Sequence, residues 1–148
     1  MRGLSWTHPA LRRSAAQQPE AELLKHLKAA VGFYQQALEL LPKNAVDDLA
    51  VTHNQLGIIY KNAGDLDRAL PHYREAIRYR EAMGDLYGAA QSRFNVALAL
   101  MQAGRQVDAR EYAYAALRNF ETYEDRAAEE IQRTQGLIER IEQAMKKG

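Results

Sequence analysis

From Glu20 to Met145 apolar residues return at three- and four-residue spacing, and the runs they form are cut at regular intervals by Pro or Gly. The first run, Glu20 to Leu41, starts after Pro19 and stops at Pro42-Lys43-Asn44. Leu23, Leu24, Leu27, Ala30, Val31, Tyr34, Leu38 and Leu41 define its apolar face. A second helix is expected from Val46 to Ala63, opened by Asn44 or Asp47 as N-cap and closed by Gly64. Asp65 caps a third, Leu66 to Met83, closed by Gly84. Asp85 opens a fourth, Leu86 to Ala103, closed by Gly104. A fifth runs from Gln106 to Tyr123, and a sixth from Asp125 or Arg126 to Met145. Short connections between helices of this length predict antiparallel hairpins. Pro71 lies too deep in the third helix to be free of cost, so a bend or a 3₁₀-like first turn is expected there.

The pattern also repeats. A shift of forty residues lays Ala63-Gly64 on Ala103-Gly104, Ala69 on Ala109 and Ala76 on Ala116. Arg78, Glu81 and Asp85 fall on Arg118, Glu121 and Asp125 under the same shift. Helical punctuation at such a period marks a stacked helical-repeat array, because one hairpin cannot bury its own faces. The architecture expected is all-α: an α-solenoid of about six helices. Gly57, Ala69 and Ala76 keep side chains short where helices cross, and Tyr60 and Tyr73 fill the space between hairpins. Ile131, Leu137, Ile138, Ile141 and Met145 share one face of the last helix, with Glu130, Arg133, Arg140, Glu142 and Gln143 around the rest. That suits a terminal cap.

The central unit, His53, Leu56-Gly57, Tyr60, Ala69, Tyr73 and Ala76, resembles the tetratricopeptide repeat. The next unit, Val96-Ala97, Leu100, Ala109, Ala113 and Ala116, is a weaker match. The first helix supplies the second half of a unit through Ala30, Tyr34, Ala37 and Pro42. The resemblance covers about Ala29 to Asp125 and implies a right-handed solenoid; the division expected is a flexible arm over 1–19, repeats over 20–124 and a capping helix over 125–148. The forty-residue period resembles the longer repeats of kinesin-light-chain and spindle-orientation scaffolds and of many bacterial regulatory proteins. His53 and Arg93 stand where the common pattern has Trp.

Composition narrows the chemistry. The 148 residues carry 20 basic and 19 acidic side chains, interspersed, which argues against a surface for nucleic acid built from bulk charge. There is no cysteine, so disulfides, thiolate nucleophiles and Cys-ligated metals are excluded. A reducing compartment fits, and the cytoplasm is the expected location. No apolar run approaches the roughly eighteen residues of a membrane span, so no membrane partner is expected. Residues 1–19 hold Arg2, Arg12, Arg13, Ser5 and Ser14 without an acid, a faint likeness to a targeting segment. Gly3, Pro9 and Pro19 break any amphipathic helix there, and a flexible arm or the cut edge of a longer protein is the reading preferred. Trp6 lies within it.

Catalysis is not expected. His8, His26, His53 and His72 never pair at i, i+3 or i+4, and no His-Glu-x-x-His, phosphate-cradling Gly loop or Gly-x-Ser-x-Gly is present. His53 reads as a packed ring and His72 as a solvated one. No cofactor or metal is expected.

What the resemblance implies instead is a groove lined by the first helix of each unit, holding a protein or peptide segment. By position the central unit offers Val51, Asn54, Gln55, Ile58, Lys61 and Asn62, and the next offers Gln91, Phe94, Asn95, Leu98, Met101 and Gln102. Carboxamides donate and accept at once, so they can pair with a peptide backbone whatever its sequence. Asn95 matches an asparagine that contacts ligand backbone in the longer-repeat members, and Gln55 holds that place one unit earlier. Phe94, Leu98 and Met101 would take an apolar side chain. A cationic clamp for a C-terminal carboxylate is not evident, Lys61 being the one basic residue of the set. The competing reading makes the carboxamides a solvated face and packs Phe94 and Met101 on the last helix. Function then divides between a non-catalytic interaction scaffold, free-standing or the sensor part of a larger assembly, and a self-assembly module. In the second, a homo-oligomer forms when another copy or the chain's own arm fills the groove or an exposed edge.

Overall fold

The computed structural model describes residues 9–147, with side chains from residue 19 onward. Among them are α1 (Pro9–Leu40), α2 (Val46–Asn62), α3 (Leu66–Ala82), α4 (Leu86–Gln102), α5 (Gln106–Glu121) and α6 (Ala128–Lys147), with a 3₁₀ turn at Glu124–Ala127 and no strand. Val46 and Leu86 are forty residues apart, as are Leu66 and Gln106, so the repeat seen in the sequence is the repeat of helix starts.

Three connections are one turn used three times. Gly64, Gly84 and Gly104 take φ of +82°, +77° and +80°, a left-handed conformation that costs glycine nothing. In each the next residue's N–H bonds five residues back: Asp65 to Tyr60, Asp85 to Arg80, Arg105 to Leu100, at 2.8 to 2.9 Å. Asp65 and Asp85 then cap the following helix, accepting from the N–H of Arg68 (3.1 Å) and Gly88 (2.8 Å). The connection from α5 to α6 lacks a glycine. Glu124 takes φ +53° in its place, and a 3₁₀ turn rather than a sharp cap leads into α6. At the start of α2 neither Asn44 nor Asp47 serves as N-cap. Ala45 holds that position with no side-chain bond.

Two expectations fall at prolines. α1 does not wait for Pro19; it runs from Pro9 with Pro19 inside. Of the expected arm, residues 1–8, with Trp6 and His8, lie outside the described residues. Pro71 induces no 3₁₀ turn, since α3 is α-helical from Leu66; its ring sits on the exposed face, where the carbonyl it orphans can meet water.

α2 packs on α3 and α4 on α5 as antiparallel hairpins; α3 meets α4, α5 meets α6, and α1 packs on α2. The result is an all-α solenoid. Its core draws on four helices: Ala69, Leu70 and Tyr73 from α3, Val96, Ala97 and Leu100 from α4, Ala109 and Ala113 from α5, and Leu137, Ile138 and Ile141 from α6. Gly57 shows why small residues are needed, since a Cβ there would stand 3.0 Å from the Tyr73 ring. That ring is buried, its hydroxyl has no partner, and burial pushes the group up to about 12. α1 contributes no fully buried side chain among those described.

Ala69 is fully buried between the hairpins. Ala69→Leu is expected to lower unfolding free energy by about 1–3 kcal/mol through overpacking, measured by urea denaturation. An unchanged midpoint would mean that Ala69 is not at a crossing.

Candidate functional site

Two hollows lie along the leading helices α2, α4 and α6. The first, about 410 Å³, is walled by Asn54 from α2, Gln91, Phe94 and Asn95 from α4, and Glu130, Arg133 and Thr134 from α6. The second, about 430 Å³, lies between the far ends of α2 and α4 and includes Lys61, Asn62 and Gln102. Both hollows take lining residues from α2 and α4.

The residues singled out in the sequence divide three ways. Asn54, Gln91, Phe94 and Asn95 meet in the first hollow, and Lys61, Asn62 and Gln102 in the second. Ile58, Leu98 and Met101 are half-buried and pack, with Phe94, against the core that includes Leu137, Ile138 and Ile141. Gln55 is half-buried and Val51 exposed, and neither lines a hollow. The carboxamides of Gln91, Asn95 and Gln102 are the exposed members on α4.

Sequence reading missed the polar frame of the first hollow. Arg80 reaches back from the end of α3 to Asp85, Nη1 to Oδ2 at 3.0 Å, while the other oxygen of Asp85 caps α4. One carboxylate thus holds a guanidinium and a helix start at the hollow's rim. Gly88 leaves room for it, since a Cβ there would strike the Asp85 carboxylate and the Arg80 stem. The Tyr87 hydroxyl donates to Glu130, tying α4 to α6. That bond pushes the phenol up and the carboxyl down from their ordinary values. The Tyr87 N–H donates to the Tyr123 hydroxyl at 2.9 Å. Arg133 makes no ion pair among the described residues. The acids before α3 and α4, Asp65 and Asp85, were legible; partners from helices far apart in sequence were not.

His53 and His72 form a second polar cluster. His72 is not solvated as expected. Its Nδ1 lies 3.0 Å from Nδ1 of His53, and its ring stacks on Tyr60 at 5.7 Å while His53 stacks on Tyr79 at 5.9 Å. A helix-face rule finds pairs on one helix; this pair spans α2 and α3, which a sequence pattern does not show. One ring donates and the other accepts, so the neutral pair satisfies both nitrogens. Burial lowers both groups below the usual 6.5, and for His53 the charge of His72 adds to it. Among the described residues no three His, Asp, Glu or Cys side chains gather as metal ligands, and no helix is long and apolar enough to cross a membrane.

Residues 54–124 match the family model of the tetratricopeptide repeat. Those residues carry tetratricopeptide repeats, and repeats of this class are in general protein–protein interaction modules. No curated protein and no solved structure matches the chain.

The imidazole pair gives a pH dependence. Because both folded-state values are lowered, the unfolded chain takes up protons first, and stability is full above about pH 6.5. It is expected to fall as pH drops through 6.5 and to level off below the folded-state values. Thermal melts from pH 8 to 5 check this, and the His53→Phe/His72→Phe double variant should flatten the slope in that window. An identical slope in the variant would assign the effect to other groups.

Proposed function

We propose that this chain binds an extended segment of a protein partner along the furrow of α2, α4 and α6, as a non-catalytic scaffold or the sensor part of a larger assembly in the cytoplasm. The observation that carries the reading is the hollow of about 410 Å³ in which Asn54, Gln91 and Asn95 converge from neighbouring helices. Carboxamides on opposite walls suit a peptide backbone, which offers donors and acceptors alternately along its length. Phe94 forms an apolar floor between them, half-buried and held by the core.

Charge in the first hollow is balanced: Arg80 is paired with Asp85, and Arg133 offsets Glu130, which also accepts from Tyr87. That favours a partner read by its backbone over a strongly charged ligand. Second-hollow residues Lys61, Asn62 and Gln102 extend the same wall and would take the remainder of the segment.

Affinity capture with the immobilised chain, followed by mass spectrometry, identifies the partner; titration calorimetry with the captured segment then tests the site. Asn95→Ala is expected to weaken binding roughly tenfold while leaving stability within about 0.5 kcal/mol, since an exposed carboxamide contributes little to folding. Equal affinity for Asn95→Ala and Gln91→Ala variants would remove this furrow as the binding surface.

A further inference from the structure

Thr52, Ser92 and Thr134 are the buried serine and threonine side chains among the described residues. Two of them are satisfied by their own helix. Thr52 donates to the Asp48 carbonyl and Thr134 to the Glu130 carbonyl, each at 2.7 Å and four residues back. That is a common resting place for a hydroxyl inside a helix. Ser92 stands forty residues after Thr52, at the same point of the next unit, and is 5% exposed. It makes no such bond to the Gly88 carbonyl, nor any other side-chain hydrogen bond among the described residues. Buried polar groups without a partner are rare in folded proteins. Ser92 lines the first hollow.

The charges around that hollow are answered within the chain, Arg80 by Asp85 and Glu130 by Tyr87 and Arg133. What remains open are groups that both donate and accept. Gln91 and Asn95 are exposed at the walls, whereas Asn54 is half-buried and Ser92 buried. None of these three carboxamides bonds another side chain among the described residues. Thr134, also buried, gives its proton to the Glu130 carbonyl, so its oxygen offers a lone pair. The buried part of the hollow therefore suits an uncharged group that donates to one neighbour and accepts from another.

We propose that the first hollow is a selectivity pocket for one primary carboxamide, the side chain of a glutamine or asparagine in the segment bound along the furrow. The inference rests on the furrow reading given above and adds what that segment must carry. Gln91 and Asn95 meet its backbone, and its carboxamide reaches past them to Ser92, Asn54 and Thr134. A carboxamide brings two N–H donors and two acceptor lone pairs, enough to bond both walls. A carboxylate has no proton for Thr134 and adds a charge to a site whose cations are already paired. An ammonium group cannot accept the Ser92 proton and meets the same balance from the other side. A leucine would close over Ser92 and leave its hydroxyl unpaired and shut away from water. The pocket thus selects as much by what it leaves unsatisfied with the wrong side chain as by what it bonds in the right one.

The test is selection of a randomised heptapeptide library, displayed on phage, against the immobilised full chain. The selected peptides are expected to converge on glutamine or asparagine at one position. Replacing that residue by leucine, glutamate or lysine in the synthetic peptide should weaken binding roughly tenfold. Peptides that lose affinity for Asn95→Ala but carry an apolar or charged residue at the converged position, or none in common, overturn the carboxamide pocket and leave the furrow standing. Peptides that bind Asn95→Ala as well as the parent chain, or a selection that enriches nothing, overturn both. Ser92→Ala supplies the second arm. Its melting temperature should stay that of the parent, because the hydroxyl has no bond to lose in the free protein. The preference for the carboxamide peptide over its leucine counterpart should shrink several-fold, and an unchanged ratio overturns the proposal.

Discussion

The structure depends on how closely its helices approach one another. Where α2 crosses α3, the backbone of Gly57 lies against the Tyr73 ring with no room for a methyl group. Around that contact Ala69 and Ala76, and in the next hairpin Ala97, Ala109, Ala113 and Ala116, are wholly buried. Helices that touch through such residues sit at short axial separation, so each hairpin presents a flat side to the next. The leading helices α2 and α4 both contribute to the walls of the two hollows.

On this common frame the two hairpins use different chemistry at equivalent places. His53 in the first meets Tyr79 by stacking and His72 by a nitrogen–nitrogen hydrogen bond. Arg93, forty residues on, bonds Asn119 at 2.6 Å and Glu81 at 2.8 Å. One junction is thus a pair of neutral imidazoles between two aromatic rings, sensitive to protons. The other is a permanent cation tying the end of α3 to α4 and α5. The repeat sets where a leading helix touches its trailing helix, and leaves the kind of contact free.

The surfaces are differentiated along the array in the same way. Over the furrow, polar side chains are held in place by one another, as Asp85 holds Arg80 and Glu130 holds Tyr87, which leaves the carboxamides of α4 facing outward. At the far edge α1 carries apolar side chains at the positions where α3 carries its inter-helix contacts.

What the sequence determined by itself is whatever depends on near neighbours along the chain. Gly64, Gly84 and Gly104 set the turns because a left-handed residue is a local demand; Asp65 and Asp85 set caps because the N–H they accept from is three residues away. The alanines and Gly57 declared the crossings, and with the repeat that was enough for hairpins and for the order of helices. Where a local rule had a competitor it failed. Pro19 and Pro71 were absorbed into helices whose backbone remains otherwise bonded, and Ala45 starts α2 though acids stand nearby. Only the tertiary structure decided which polar groups meet. The His53–His72 bond, the Tyr87–Glu130 bond and the division of the α4 residues between furrow and core each join helices whose separation in sequence carries no signal. Their contacts arise from the angle at which one hairpin lies on the next, and that angle is fixed by packing across the whole array.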